Sequence, residues 1–294
     1  MKRQLLAAAL FALTATPAAA YTSYLKPDSY WPEDRDVRVE GSYASEFFTP
    51  QIALPASFTA LNPGGSQVSL DQIAVAASET IVTASLPAGG TYRISTGEQL
   101  GQVTTVAYID GQWRSLRAGE APPEGAPTST LQAVTVADVY VTRGQATRDV
   151  VDRPIGRLAV RPITHPNQIL AANGFEIELL FDGAPLANSA IVLYADGDPD
   201  TNLQTYIVTD ANGRATFTFP ASGEYVIAAR HRADAPTGSA AAVHSYTTTV
   251  TIQALDALPV GYDANARDAE AARENERDAR RTERPRRRVG RPDN

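Results

Sequence analysis

From Tyr21 to Leu255 the apolar residues fall in short alternating runs, and this period of two confines the chain to β-structure. Val37–Tyr43, Ser57–Leu61, Gln72–Ala76, Thr80–Leu86, Gly90–Thr96 and Thr104–Ile109 are candidate strands, rich in β-branched and aromatic residues. Gly, Pro, Asn and Asp bound them, each a residue that favours turns for its own backbone reason. Asp110-Gly111 ahead of Gln112-Trp113 predicts a hairpin, because both turn residues tolerate positive φ. Glu120–Pro127 holds three prolines and reads as a loop. Leu131–Thr142 alternates on Val134, Val136 and Val141 and reads as either a strand or a short helix, and Arg157–Ile163 is a further strand.

His165-Pro166-Asn167 marks a seam, since proline removes a backbone donor and holds the preceding residue extended. After it, candidate strands follow at Gly174–Phe181, Ala190–Tyr194, Thr205–Thr209, Arg214–Phe219, Tyr225–Arg232 and Val243–Ile252, with turns at Asp182-Gly183 and Asp210-Ala211-Asn212-Gly213. That spacing is the spacing of a small sandwich. The expected fold class is all-β, with two β-sandwich (Ig-like or prealbumin-like) halves over 21–165 and 166–255 and a charged helical or disordered tail over 256–294.

Apolar residues make up 43% of the chain, enough for a packed core. There is no cysteine, so the core must hold without disulfides, and thiolate metal sites and a cysteine nucleophile are excluded. Residues 1–20 read as a secretory signal peptide: Lys2 and Arg3, the apolar stretch Leu5–Leu13, then Ala18-Ala19-Ala20 before Tyr21. A short buried helix is the alternative. Export to the periplasm is the expectation, with no transmembrane segment in the mature chain, because no apolar run reaches about 20 residues. The net charge is −7 although both ends carry basic residues, so the body is acidic and disfavours nucleic acid.

The tail differs in kind. Asp263/Arg267 and Glu276/Arg280 are helix-supporting pairs, yet alanine is its only apolar residue from Asp263 to Glu283, so a helix there has no face to bury. Arg284–Asn294 carries five arginines and reads as a flexible basic end, either dispensable or in contact with an anionic envelope surface.

Gly183-x-Pro185-Leu186-x-x-Ser189-x-Ile191-Val192-Leu193-Tyr194, then Thr209-Asp210-Ala211-Asn212-Gly213-Arg214-Ala215-Thr216-Phe217, then Gly223-Glu224-Tyr225-Val226-Ile227-Ala228-Ala229 resembles the prealbumin-like or carboxypeptidase-regulatory-like β-sandwich. Together with an exported N-terminal β half, the chain resembles the DUF4198 family of periplasmic proteins. The resemblance implies an association with nickel or cobalt uptake. Family members open Ala-His before an aromatic stretch with Leu-x-Pro. Here Leu25 and Pro27 match, and Tyr21 stands at the histidine position.

Nickel, cobalt or zinc takes imidazole ligands, usually three or more converging groups. The candidate metal ligands are His231, His244 and His165. With an index sum of 475 in an antiparallel hairpin, His231 would face His244, and Ala229, Ile227 and Tyr225 would face Tyr246, Thr248 and Val250 on the same side. Ordinary strand-end histidines are the alternative. Asp196-Gly197-Asp198-Pro199-Asp200-Thr201-Asn202 has oxygen ligands at alternate positions but lacks the EF-hand Gly and Glu, leaving a looser calcium loop or a solvated turn. Tyr21, Tyr24, Tyr30, Trp31, Phe47 and Phe48 either fill a seam between sheets or stack on a sugar or partner. Neither a Gly-x-Ser-x-Gly elbow nor a His-Glu-x-x-His helix occurs, and a non-enzymatic function is expected. The expected function is that of a periplasmic accessory protein binding a Ni, Co or Zn ion near a membrane uptake system or envelope component. The competing class is a structural or adhesive module that holds another protein or a glycan.

Overall fold

The computed structural model describes residues 21–117 and 119–259. The signal-peptide reading and the charged-tail reading beyond 259 lie outside the described residues. Among the described residues every regular element is a strand, and no helix is long and apolar enough to cross a membrane. The chain is all-β.

The first half contributes β1 (Thr22–Pro27), β2 (Asp36–Ala44), β3 (Ile52–Ala53), β4 (Thr59–Leu61), β5 (Gln67–Val68), β6 (Gln72–Val75), β7 (Thr80–Ser85), β8 (Gly90–Ser95), β9 (Gln99–Ile109), β10 (Gln112–Ser115) and β11 (Thr128–Arg143). The second contributes β12 (Leu158–Pro162), β13 (Ile169–Leu170), β14 (Phe175–Phe181), β15 (Ala184–Pro185), β16 (Ala190–Ala195), β17 (Tyr206–Val208), β18 (Arg214–Phe217), β19 (Gly223–Asp234) and β20 (Val243–Leu255). The stretch left open between strand and helix is therefore the long strand β11.

These strands form three sheets. One sheet runs β1-β2-β7-β6, with β3 on β2, and another runs β12-β14-β15, with β18 on β14. Between them lies an 11-stranded sheet in the order β17-β16-β19-β20-β11-β8-β4-β5, to which β9, β10 and β13 add. Its two halves meet in a parallel ladder, Leu131–Val139 of β11 beside Val243–Thr251 of β20.

Strand alternation sorts the side chains of this shared sheet onto two faces. Val139 and Val141 of β11 join Tyr92 and Ile94 under the first sheet, packed on Leu25, Val39 and Val82. Tyr140 of the same strand points the other way, into a core with Leu158, Phe175, Ile177, Leu193, Ile227 and Val250. A third cluster, Tyr24, Phe47, Tyr194, Val226 and Ala228, packs β1 and the turn after β2 against the opposite face of β16 and β19. Of the early aromatics, Tyr24, Tyr30 and Phe47 are buried and Tyr21 is exposed. The cores thus alternate across a common layer.

The β12 strand precedes His165 in sequence yet hydrogen-bonds to β14, Leu158 opposite Phe181 through Pro162 opposite Ile177. Both the β12–β14 and the β11–β20 ladders therefore cross the position between residues 165 and 166.

The Asp-rich loop after β16 is a clasp between the halves. The Phe47 N–H donates to the Asp198 carbonyl, and the Asp200 N–H donates to the Ser45 carbonyl. The Asp198 carboxylate accepts from the Ala195 N–H at 2.8 Å, and the buried Asp200 carboxylate accepts from Thr22 Oγ1 at 3.3 Å. The Asp198 and Asp200 side chains are turned onto the protein's own backbone and onto β1.

Candidate functional site

The three histidines separate into a pair and a singleton. His244 pairs with Ala233, and His231 pairs with Tyr246, so the β19–β20 index sum is 477 rather than 475. A shift of two residues preserves parity, and His231, His244 and Tyr246 share one face as alternation requires. They are diagonal neighbours, not a facing pair.

His165 sits elsewhere. Its Nε2 lies 3.0 Å from Thr91 Oγ1 and 3.1 Å from the Thr147 carbonyl, while Nδ1 accepts from the Asn167 N–H at 3.2 Å. An acceptor Nδ1 leaves the proton on Nε2, and no lone pair remains for a metal. Thr91 is paired with Thr142 of β11, whereas His244 is paired with Gln132 of the same strand. Ten residues of strand put about 30 Å between the two places. His165 is buried and its pKa falls to about 4, chiefly because burial penalises the imidazolium. It is a structural crosslink and leaves the metal-ligand set.

Around the other two, the fold assembles a polar and aromatic ledge. The Asp182-Gly183 turn ends β14 with both residues at positive φ, which aims the Asp182 carboxylate back at Arg157. Arg157 holds it through two bonds, Nε to Oδ1 at 2.5 Å and Nη2 to Oδ2 at 2.6 Å, while Nη1 donates to the Tyr246 hydroxyl. The guanidinium lies 4.8 Å from the Phe181 ring centre and 5.2 Å from that of Tyr246. The His231 ring is 4.5 Å from Phe181, and His244 Nδ1 is 3.2 Å from the Tyr246 hydroxyl.

The charges are fixed by this geometry. Hydrogen bonds from Arg157 hold the Asp182 carboxyl below its ordinary range, and Asp182 raises the guanidinium in turn. Burial pushes His231 down, Arg157 adds to that, and Asp182 opposes both. His231 is therefore neutral at neutral pH. His244 is buried, and its Nε2 has no hydrogen-bond partner.

Two imidazoles on one face are half of what nickel, cobalt or zinc requires. Among the described residues no three His, Cys, Asp or Glu gather to complete such a set. The nearby carboxylate of Asp182 is committed to Arg157.

Beyond this ledge the shared sheet extends past its coverings. From His231 the registers run to Tyr246, then Val134 of β11, then Leu100 of β9. A bulge in β9 opposite Gln132/Val134 reverses its alternation, so Leu100 and Val103 fall on the ledge's face and Tyr108 falls on the other. Tyr108 pairs with Trp113 across the Asp110-Gly111 turn, ring centres 5.6 Å apart. Leu100 is 64% exposed, and Val103, Tyr108 and Trp113 are each near 40%. This three-stranded arm of β10, β9 and the start of β11 carries exposed large apolar side chains on both faces, Leu100 and Val103 on one and Tyr108 and Trp113 on the other, that core arguments do not explain. Sequence reading located its hairpin but not its exposure. It also passed over Arg157, Phe181 and Asp182 as ordinary strand and turn residues.

A family model described as a domain of unknown function (DUF4198) matches residues 18–233. No curated protein sequence matches the chain. Among solved structures, the D0-D1 domain of intimin is 11% identical, with 79% of this chain and 98% of that one covered, at a TM-score of 0.20. A DUF4785 family protein from Legionella pneumophila is 12% identical over 70% of this chain and 50% of its own, at 0.22. Trypsin-activated alpha-2-macroglobulin from Escherichia coli is 12% identical over 82% of this chain and 16% of its own, also at 0.22. At these scores the likenesses add nothing to the fold already described.

Proposed function

The chain belongs to the DUF4198 family, and from that premise we propose that it is an exported, non-enzymatic β-sandwich module that holds a partner in the cell envelope through its β9–β10 arm. The observation that carries this reading is the exposure of Tyr108 and Trp113 as a tilted aromatic pair on strands that neither covering sheet protects. Paired aromatics of this kind bury a large area at small entropic cost and anchor protein or glycan partners. The rest of the molecule supplies a base with three packed apolar cores. The test is binding of the purified protein to isolated periplasmic envelope fractions, wild type against Tyr108→Ala and Trp113→Ala. Each variant is expected to weaken binding at least tenfold with an unchanged melting temperature. Equal binding by all three proteins contradicts the reading.

A second reading rests on a different observation, the buried and unpartnered Nε2 of His244 beside His231. It makes the ledge a half-site for a nickel, cobalt or zinc ion near an uptake system, with the remaining ligands supplied from outside the described residues. A ligand that prefers the folded state raises the melting temperature. Under this reading Ni²⁺, Co²⁺ or Zn²⁺ raises it in the wild type but not in His231→Ala or His244→Ala. No shift at large metal excess removes the reading.

A further inference from the structure

The β9 strand has an edge as well as two faces. Only Val106–Ile109 are paired with β10, and the Thr105 carbonyl accepts the Leu116 N–H. From Gln99 to Thr104 the side of β9 away from β11 has no strand beside it among the described residues. Leu100 through Thr105 are exposed at every position. Proteins usually protect such an edge with lysine, proline, an inward charge or a bulge. Gln-Leu-Gly-Gln-Val-Thr-Thr-Val-Ala-Tyr-Ile contains none of the first three across all of β9, and its one bulge lies near Gly101.

We propose that two copies of the chain pair edge to edge through β9, residues 100–104 of one antiparallel to the same segment of the other. The choice of a second copy follows from charge and symmetry. A two-fold contact is isologous, so the surface must tolerate itself. Two bodies from a chain of net charge −7 repel, but this edge carries no charge and extends beyond the covering sheets. With the dyad at Gln102, Leu100 meets the partner's Thr104 and each Gln102 meets its own mate. Open backbone donors and acceptors then find partners without bringing like charges together. The edge is distinct from the Tyr108–Trp113 face, so the inference stands or falls independently of the binding reading above.

The test uses sedimentation equilibrium of the purified protein at tens of micromolar. Wild type is expected at twice the monomer mass. Gln102→Lys and Gln102→Glu, each placing like charges across the dyad, are expected at monomer mass with wild-type melting temperatures. An equimolar mixture of the two is expected to restore the dimer. Trp113→Ala is expected to remain dimeric. A monomeric wild type, two variants that stay dimeric, or a mixture that stays monomeric would overturn the proposal.

Discussion

Arg93 is among the largest side chains that the fold buries completely, and it is buried charged. Its Nη2 lies 2.5 Å from Asp138 Oδ2, its Nε 3.2 Å from Oδ1, and a third donor reaches the Arg153 carbonyl. The Tyr140 ring lies 5.3 Å from the guanidinium. Removing one partner of a dry ion pair strands the other, which typically costs about 3–5 kcal/mol. Asp138→Asn is expected to lose stability on that scale in urea denaturation. The double variant Arg93→Met/Asp138→Leu should lose clearly less, because no charge is left unpaired. His165 behaves oppositely to a paired carboxylate. Its pKa is about 4 when folded and near 6.5 when exposed. The unfolded chain therefore takes up a proton first as pH falls. Above 6.5 the group costs nothing, between 6.5 and 4 it removes about 3 kcal/mol in total, and below 4 it removes no more. His165→Gln should flatten that part of the pH–stability curve, whatever it costs at pH 7. Neither role was legible in the sequence. Arg93 read as a strand residue and His165 as either a candidate ligand or an ordinary histidine, because burial and hydrogen-bond partners are set by strands distant in the chain.

At the scale of elements, local chemistry carried far. Asp110-Gly111 and Asp182-Gly183 form the positive-φ turns their residue types demand. Face assignment on β19 and β20 was also legible, since alternation alone decides it, but the register differed by two residues because the eight residues from Ala235 to Ala242 leave the loop's span open. Gly174 shows how tightly a turn can be specified. It sits at φ +79°, and a Cβ there would stand 2.5 Å from the Phe217 carbonyl oxygen. Gly111 shares the same φ with nothing within 4 Å. Both alanine variants incur backbone strain of about 1–3 kcal/mol. Gly174→Ala is expected to lose measurably more than Gly111→Ala in thermal melts, the difference being the carbonyl contact. What elements conceal is extent and exposure: the sequence reading places a strand only at Thr104–Ile109, whereas β9 begins at Gln99 and is exposed from Leu100 to Thr105.

The whole molecule departs most from local reading. Alternation predicted an all-β chain with two sandwich-like halves, and the chain is all-β. The structure joins the halves through a shared sheet, with β11 and β20 parallel although about one hundred residues separate them. No short-range pattern encodes a parallel ladder, whose partners here come from the middle and the end of the described chain. Tyr140 and Val139 pack into different cores from adjacent positions of one strand. Separate unfolding of the halves would break that ladder. Differential scanning calorimetry is therefore expected to show one transition with equal calorimetric and van't Hoff enthalpies. Two resolved transitions would mean that the halves are independent.

The proposed partner contact lies on the arm, and site-specific photocrosslinking in cells tests that proposal most directly. A crosslinking residue is introduced at Ser115, exposed two residues from Trp113 on the same face of β10, and, separately, at Tyr206, an exposed aromatic on the β17 edge at the far side of the shared sheet. The account predicts a discrete higher-mass adduct from position 115 and none from position 206. Adducts from 206 alone, or equal adducts from both, would contradict it.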